Sequence, residues 1–229
     1  MNTVATEILE KVSYRALLLA RSRDEGLRKG PRTAERIRWA ACELLETMSL
    51  DDLTVQDIGR QAGVAQGTLY QYFVSRNDLI GSVLHDFIAF LRQGMHRAIS
   101  ESESTQDSVN RSTRIYCELF SANRGLMKCL LNRFDTFPEE RGILSEFNKE
   151  WIDLVVRGMR RQRGTAAPST REIKRRAYAL GGMVDQYLAA IFLYEDGDVA
   201  STAGSLSDIT KTLTFIWRQA FADVLEIGG

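Results

Sequence analysis

Three prolines, Pro31, Pro138 and Pro168, are all that interrupt 229 residues. Proline removes a backbone donor and clashes inside a helix, so its scarcity leaves room for long uninterrupted helices. The apolar pattern fills that room with helical period. Ile37, Ala40, Ala41, Leu44, Leu45 and Met48 recur at i, i+3, i+4, i+7, i+8 and i+11 and line one face, with Thr33 as the expected N-cap after Gly30-Pro31. Amphipathic stretches follow at about 77–100, 107–121, 124–132, 139–163, 170–194 and 205–226, separated by breaks that include Gly164 to Pro168 and Asp196-Gly-Asp198. With 44% hydrophobic and 26% charged residues the chain can build a core, which excludes disordered and collagen-like classes. The expected fold class is all-α.

Thirty Lys and Arg balance thirty Asp and Glu, so bulk charge points to neither a polyanion coat nor a membrane surface. Any anion-binding site has to be local. Residues 11–38 hold nine basic side chains against three acidic ones, and a second cluster runs from Arg157 to Arg176. The longest apolar run, Tyr187 to Tyr194, is far short of the roughly 20 residues that span a bilayer, so no membrane association is expected. Cys42, Cys117 and Cys129 are odd in number and have no C-x-x-C spacing, which argues against a disulfide framework or zinc knuckle and fits a reducing, cytoplasmic setting. His85 and His96 lie eleven residues apart, too far to share a metal, and no nucleophile, phosphate-loop or dinucleotide string is present. No metal, cofactor or catalytic residue is expected.

The most specific signal lies in residues 55–73. Thr54-Val-Gln-Asp57 reads as a capping box opening a short helix, Gly63 stops it, and three residues later Gln66 opens another with Leu69 and Phe73 facing inward. Two short helices joined by a tight Gly-containing turn, the second polar outside, form the helix-turn-helix arrangement that lays a helix in the DNA major groove. Its outward residues are Gln66, Thr68, Tyr70, Gln71 and Tyr72. A glutamine can pair bidentately with adenine, whereas threonine and tyrosine hydroxyls more often meet phosphate oxygens. Arg76, opening the next helix, reads as a phosphate clamp.

The strings Leu53-Thr-Val-Gln-Asp-Ile58, Ala62-Gly-Val-Ala-Gln-Gly-Thr-Leu-Tyr-Gln-Tyr-Phe73 and Ser75-Arg-Asn-Asp-Leu79 resemble the TetR family of bacterial transcriptional regulators, over roughly residues 33–80. The resemblance implies an N-terminal DNA-binding domain over 31–76, a larger helical effector-binding and dimerisation domain over 77–229, and an N-terminal extension, partly helical, over 1–30. It makes Gln66, Gly67 and Gln71 the base contacts and Gln56, Thr68, Tyr70, Tyr72 and Arg76 the phosphate contacts. Three positions depart from the family pattern: Gly59 stands where Ala is usual, Tyr72 for His, and Arg76 for Lys. Arg28, Lys29 and Arg32 form a candidate DNA arm ahead of the domain.

In such a family the body helices surround a cavity, which nominates Phe87, Phe90, Tyr116, Phe120, Met127, Phe134, Phe147 and Trp151 as an effector pocket. The alternative for each of these side chains is plain core. The helices near 170–194 and 205–226 would form a four-helix dimer interface through Gly181, Tyr187, Leu188, Ile191, Leu213, Trp217 and Phe221, against intramolecular packing as the alternative. The resemblance thus implies a homodimeric repressor that reads a palindromic double-stranded operator and is released by a small apolar or amphipathic effector. Rival readings are a helical small-molecule-binding protein or enzyme with a vestigial head, and a DNA-binding adaptor controlled by a protein partner through the Arg157 to Arg176 surface.

Overall fold

The computed structural model describes residues 10–132, 137–163 and 168–225, and among them every regular element is helical, with no strand. The order is α1 (Tyr14–Arg23), α2 (Lys29–Leu45), α3 (Val55–Ala62), α4 (Gln66–Tyr70), α5 (Arg76–Ser100) and α6 (Thr105–Ala122). It continues with α7 (Arg124–Asn132), α8 (Pro138–Arg163), α9 (Thr170–Phe192), α10 (Gly197–Ala203), α11 (Leu206–Ala220) and α12 (Ala222–Leu225). The chain divides into two compact units, residues 1–90 with 122–142 and residues 91–121 with 143–229.

The first unit is built on α2. Its apolar stripe is buried at Ile37, Ala40, Ala41 and Leu45, with Cys42 beside them. The helix begins at Lys29, four residues before the expected cap: Thr33 is inside it, its hydroxyl donating back to the Lys29 carbonyl at 3.0 Å. Pro31 is tolerated because the first-turn N–H groups have no intrahelical acceptor to lose.

The preceding segment is part of this core, not a loose extension. Tyr14 and Leu18 of α1 are buried, and the Tyr14 ring sits 5.7 Å from Phe87 and 5.5 Å from Phe90. The buried Asn123 side chain fixes the start of α1, accepting from the Tyr14 N–H at 2.8 Å and donating to the Val12 carbonyl at 2.7 Å. Helix α7 closes on the end of α2 so tightly that a Cβ on Gly125 would stand 2.4 Å from the Leu45 carbonyl oxygen.

These contacts explain why the packing division differs from the 76/77 boundary read from the sequence. The rings of Phe87 and Phe90 and the approach of Gly125 tie the first part of α5 and all of α7 to the helix-turn-helix core. The first nine residues of the expected extension lie outside the described residues.

In the second unit, α9, α11 and α12 meet around Phe221, which stacks on Trp217 at 5.9 Å under the Arg176 guanidinium. Arg176 is held by the Ala220 carbonyl at 3.1 Å and by Asp223 at 2.9 Å. The segment after Asp196, which looked like a break, is the short helix α10: the Asp196 carboxylate accepts from the Asp198 and Val199 N–H groups, each at 3.1 Å, and caps it. All three cysteines are buried. Burial pushes the Cys42 thiol well up and the Cys117 thiol to about 11, so both stay protonated core residues at neutral pH.

Candidate nucleic-acid interface and effector cavity

Helix α3 is opened by Thr54, whose hydroxyl accepts the Asp57 N–H at 3.1 Å and donates to the Asp57 carboxylate at 2.5 Å. It closes on Gly63, held left-handed at φ 64°, a conformation that disfavours any side chain with a Cβ. The turn back is tight: Val64 N–H donates to the Gly59 carbonyl at 2.9 Å, and a Cβ on Gly59 would come within 3.1 Å of the Val64 oxygen. That crowding accounts for glycine at 59.

Helix α4 then runs only five residues, anchored by Leu69 at 0% exposure and, one turn on, by buried Phe73. The opposite side is open. Gln66, Gly67 and Gln71 are exposed, Tyr70 is 48% and Tyr72 37% exposed, and Thr68 is half-buried. Gln56 is exposed on α3, one turn before Arg60, an exposed cation that the sequence reading passed over although i, i+4 spacing put it on Gln56's face.

Arg76 is placed differently from a free phosphate clamp. Its Nη1 donates to the Leu50 carbonyl at 3.2 Å and the Leu53 carbonyl at 2.9 Å, so the guanidinium stitches the α2–α3 connection to the start of α5. The candidate arm is the first turn of α2: Arg28 and Lys29 are exposed and Arg32 half-buried. A Cβ on the neighbouring Gly30 would lie 3.8 Å from the Tyr72 hydroxyl, which puts this cationic helix start beside the exposed face of the helix-turn-helix.

The second unit contains a cavity of about 140 Å³. Of the residues nominated for an effector pocket, Tyr116, Phe147 and Trp151 line it. Phe87, Phe90 and Met127 do not: they are buried in the other unit, the two phenylalanines against Tyr14. Phe120 is fully buried between Tyr116 and Phe192 instead of lining the space, and Phe134 lies outside the described residues.

Sequence reasoning missed the polar centre of this cavity. Tyr116 donates its hydroxyl to Asp185 Oδ1 at 2.5 Å. Burial, partly opposed by that hydrogen bond, pushes the Asp185 carboxyl up to about 6; burial and the facing carboxylate push the Tyr116 phenol well above its ordinary value. The signal was present: Asp185 is the one acid within the apolar run from Ala177 to Leu193.

The expected dimer residues need re-registering. Leu188, Leu213, Trp217 and Phe221 are buried within the chain itself, and Gly181 lines the cavity. Tyr187 and Ile191 are half-buried. Outward on the same helices stand Tyr178, 51% exposed, and Met183 of α9, with Phe215 of α11 at 61%. Four side chains of the Arg157 to Arg176 cluster are paired within the chain. Lys174 meets Asp153 at 2.7 Å, Arg175 and Arg176 share Glu172, and Arg160 donates to Thr170 at 3.0 Å. Among the described residues no group of acids, histidines and cysteines could hold a metal, and no helix is long and apolar enough to cross a membrane.

The family model described as bacterial regulatory proteins, tetR family, matches residues 37–83, the stretch from α2 through the turn into α5. Over 191 residues the chain is 26% identical to the HTH-type transcriptional regulator EthR of Mycolicibacterium smegmatis, covering 82% of this chain and 85% of that one. Over 131 residues it is 27% identical to the HTH-type transcriptional repressor KstR2 of the same organism, covering 52% and 61%. The fold matches that of the transcriptional regulator FadR from Bacillus subtilis, solved in complex with stearoyl-CoA, with TM-score 0.63, 17% identity and coverage of 84% and 98%. These relatives are transcriptional regulators, and the family match falls on the helices that present Gln66 to Tyr72. Over residues 37–83 the chain is similar to the tetR family of bacterial regulatory proteins, and over most of its length to an HTH-type transcriptional regulator.

Proposed function

We propose that this regulator is a homodimeric repressor that leaves its operator when a small apolar or amphipathic molecule occupies the cavity of the second unit. The observation that carries the DNA-binding part is the outward face of α4, where Gln66, Gly67, Tyr70 and Gln71 are exposed while Leu69 and Phe73 hold the segment down. Gln66 and Gln71 are the proposed base readers, with Gly67 permitting close approach. Thr68, Tyr70, Tyr72 and Gln56 are proposed phosphate contacts, joined by Arg28, Lys29 and Arg32 at the start of α2.

A single head offers few contacts, so operator affinity calls for two, spaced by about 34 Å to enter successive major grooves on one face of a palindromic site. Exposed Tyr178 and Met183 of α9 and Phe215 of α11 are apolar side chains that a second copy would cover. The cavity supports a ligand-driven population shift, since a ligand acts only through differential affinity for two states. The repressor named KstR2 and the stearoyl-CoA complex of FadR lend this reading support from relatives.

The test is selection of bound sequences from random DNA, followed by footprinting on the selected site. The expected result is a two-fold symmetric footprint whose affinity falls steeply with salt, as counterion release requires, and is weakened by Gln66→Ala and Tyr70→Ala. A salt-independent interaction, or retention without sequence preference, overturns the reading. A reporter behind the selected site should be silent with the protein and active without it.

A further inference from the structure

We infer that the cavity of the second unit is built for a molecule that carries a protonated amine on a ring-sized apolar body, the amine seated at the free carboxylate oxygen of Asp185. This rests on the reading of that cavity as the effector site. Asp185 lies on α9 one turn after Gly181, and both line the cavity; Gly181 adds no side chain, and a Cβ there would meet no neighbour within 4 Å. The approach to the carboxylate is therefore open.

Its Oδ1 is taken by the Tyr116 hydroxyl, but Oδ2 has no donor among the described residues, and no lysine or arginine pairs with Asp185 there. Burial lifts the acid to about 6, so it is mostly ionised at neutral pH, a half-buried carboxylate with no cationic partner on a largely apolar wall. Breaking or omitting one partner of a buried ion pair leaves a costly charge, and supplying the partner relieves it. Folding has already stripped this carboxylate of part of its hydration, so an incoming ammonium gains the pairing without that part of the penalty.

The walls suit the same ligand. Trp151, Trp217, Phe147 and Tyr116 surround the space with aromatic rings, which attract a cation by their faces and pack a ring by area. A volume of about 140 Å³ is close to the order of 150 Å³ that takes a benzene-sized guest. Arg161 also lines the cavity but is an exposed side chain, hydrated without a ligand. It is the place where an anionic ligand would be held if the assignment were wrong.

The experiment titrates the full-length protein with three probes of one shape, benzylamine, benzyl alcohol and benzoate, following the fluorescence of Trp151 and Trp217 and, in parallel, release of the selected operator. Benzylamine should bind at least about ten-fold more tightly than benzyl alcohol, the scale of one charge-assisted contact in a partly enclosed site. Benzoate should bind most weakly. In Asp185→Asn, whose amide oxygen can still accept from Tyr116, the amine should fall to the level of the alcohol while the alcohol itself is unchanged, showing that the cavity persists. Rank order in the unaltered protein decides the matter even if that variant fails to fold. Alcohol or benzoate binding as well as the amine overturns the cationic assignment and leaves the effector site standing. Binding of none of the three, with operator binding intact, overturns both.

Discussion

Glycines at two positions make opposite demands on a single methyl group. At Gly125 an added Cβ would press to 2.4 Å from the Leu45 oxygen and 2.9 Å from the Glu46 nitrogen, both backbone atoms that cannot swing away. Gly125→Ala should lower unfolding free energy by about 2 kcal/mol or more, the scale of overpacking, whereas Gly181→Ala in the open side of α9 should raise it by up to about 1 kcal/mol through helix propensity. Urea denaturation of the two variants reads the contrast. Asp185 gives a pH signature. Its carboxyl, raised by burial from 3.8 to about 6, binds a proton more readily in the native state, so native stability rises as pH falls from about 6 towards about 4. Relative to Asp185→Asn, which does not titrate, the unaltered protein should gain up to about 3 kcal/mol between pH 7.5 and pH 4; a constant difference would refute the shift. Gly63 was readable from the sequence because a C-cap is local. Gly125 was not, because its reason stands eighty residues away on α2.

Helix α4 is too short to hold itself, since nucleation outweighs the gain from a single turn. Its register comes from Leu69 and Phe73 beneath it, and the turn before it from Gly63. The Arg76 guanidinium braces the adjoining connection through the carbonyls of Leu50 and Leu53. Arg76→Ala should therefore reduce stability by about 1–2 kcal/mol, as loss of hydrogen bonds from a charged donor does, and leave the salt slope of operator binding at its original value. Arg28→Ala should do the reverse, sparing stability and reducing that slope by about one. Paired denaturation and salt titrations separate the two roles, and a reduced slope in Arg76→Ala would restore the phosphate clamp. The helix-turn-helix was legible because its caps, turn and buried pair all fall within twenty residues. On α9 and α11 the period of the apolar residues selected the stripe that packs inside, Leu188, Leu213, Trp217 and Phe221. The outer set of Tyr178, Met183 and Phe215 is sparser, and a helix apolar on two sides does not announce which side meets its own chain.

Association is the property of the whole molecule that these surfaces predict. Phe215→Arg replaces an exposed apolar side chain with a charge and alters no buried one, so light scattering should show a monomer with an unaltered melting profile at low concentration. Operator affinity should fall by more than ten-fold because the second head no longer arrives at high effective concentration. A dimer unaffected by Phe215→Arg and by Tyr178→Glu would place the interface elsewhere. Domain organisation was the least legible level. Sequence patterning locates helices, but only packing shows that a unit can be assembled from two stretches separated by residues 91–121, as residues 1–90 and 122–142 are.

Anyone grafting this head onto a foreign sensor would meet that interleaving at once. A fragment cut at residue 76 would strip Tyr14 of Phe87 and Phe90, leave the Tyr14 amide without Asn123, and bare the end of α2 where Gly125 lies. A working chimera would have to carry both stretches and splice its replacement between them, as an insertion and not as a tail.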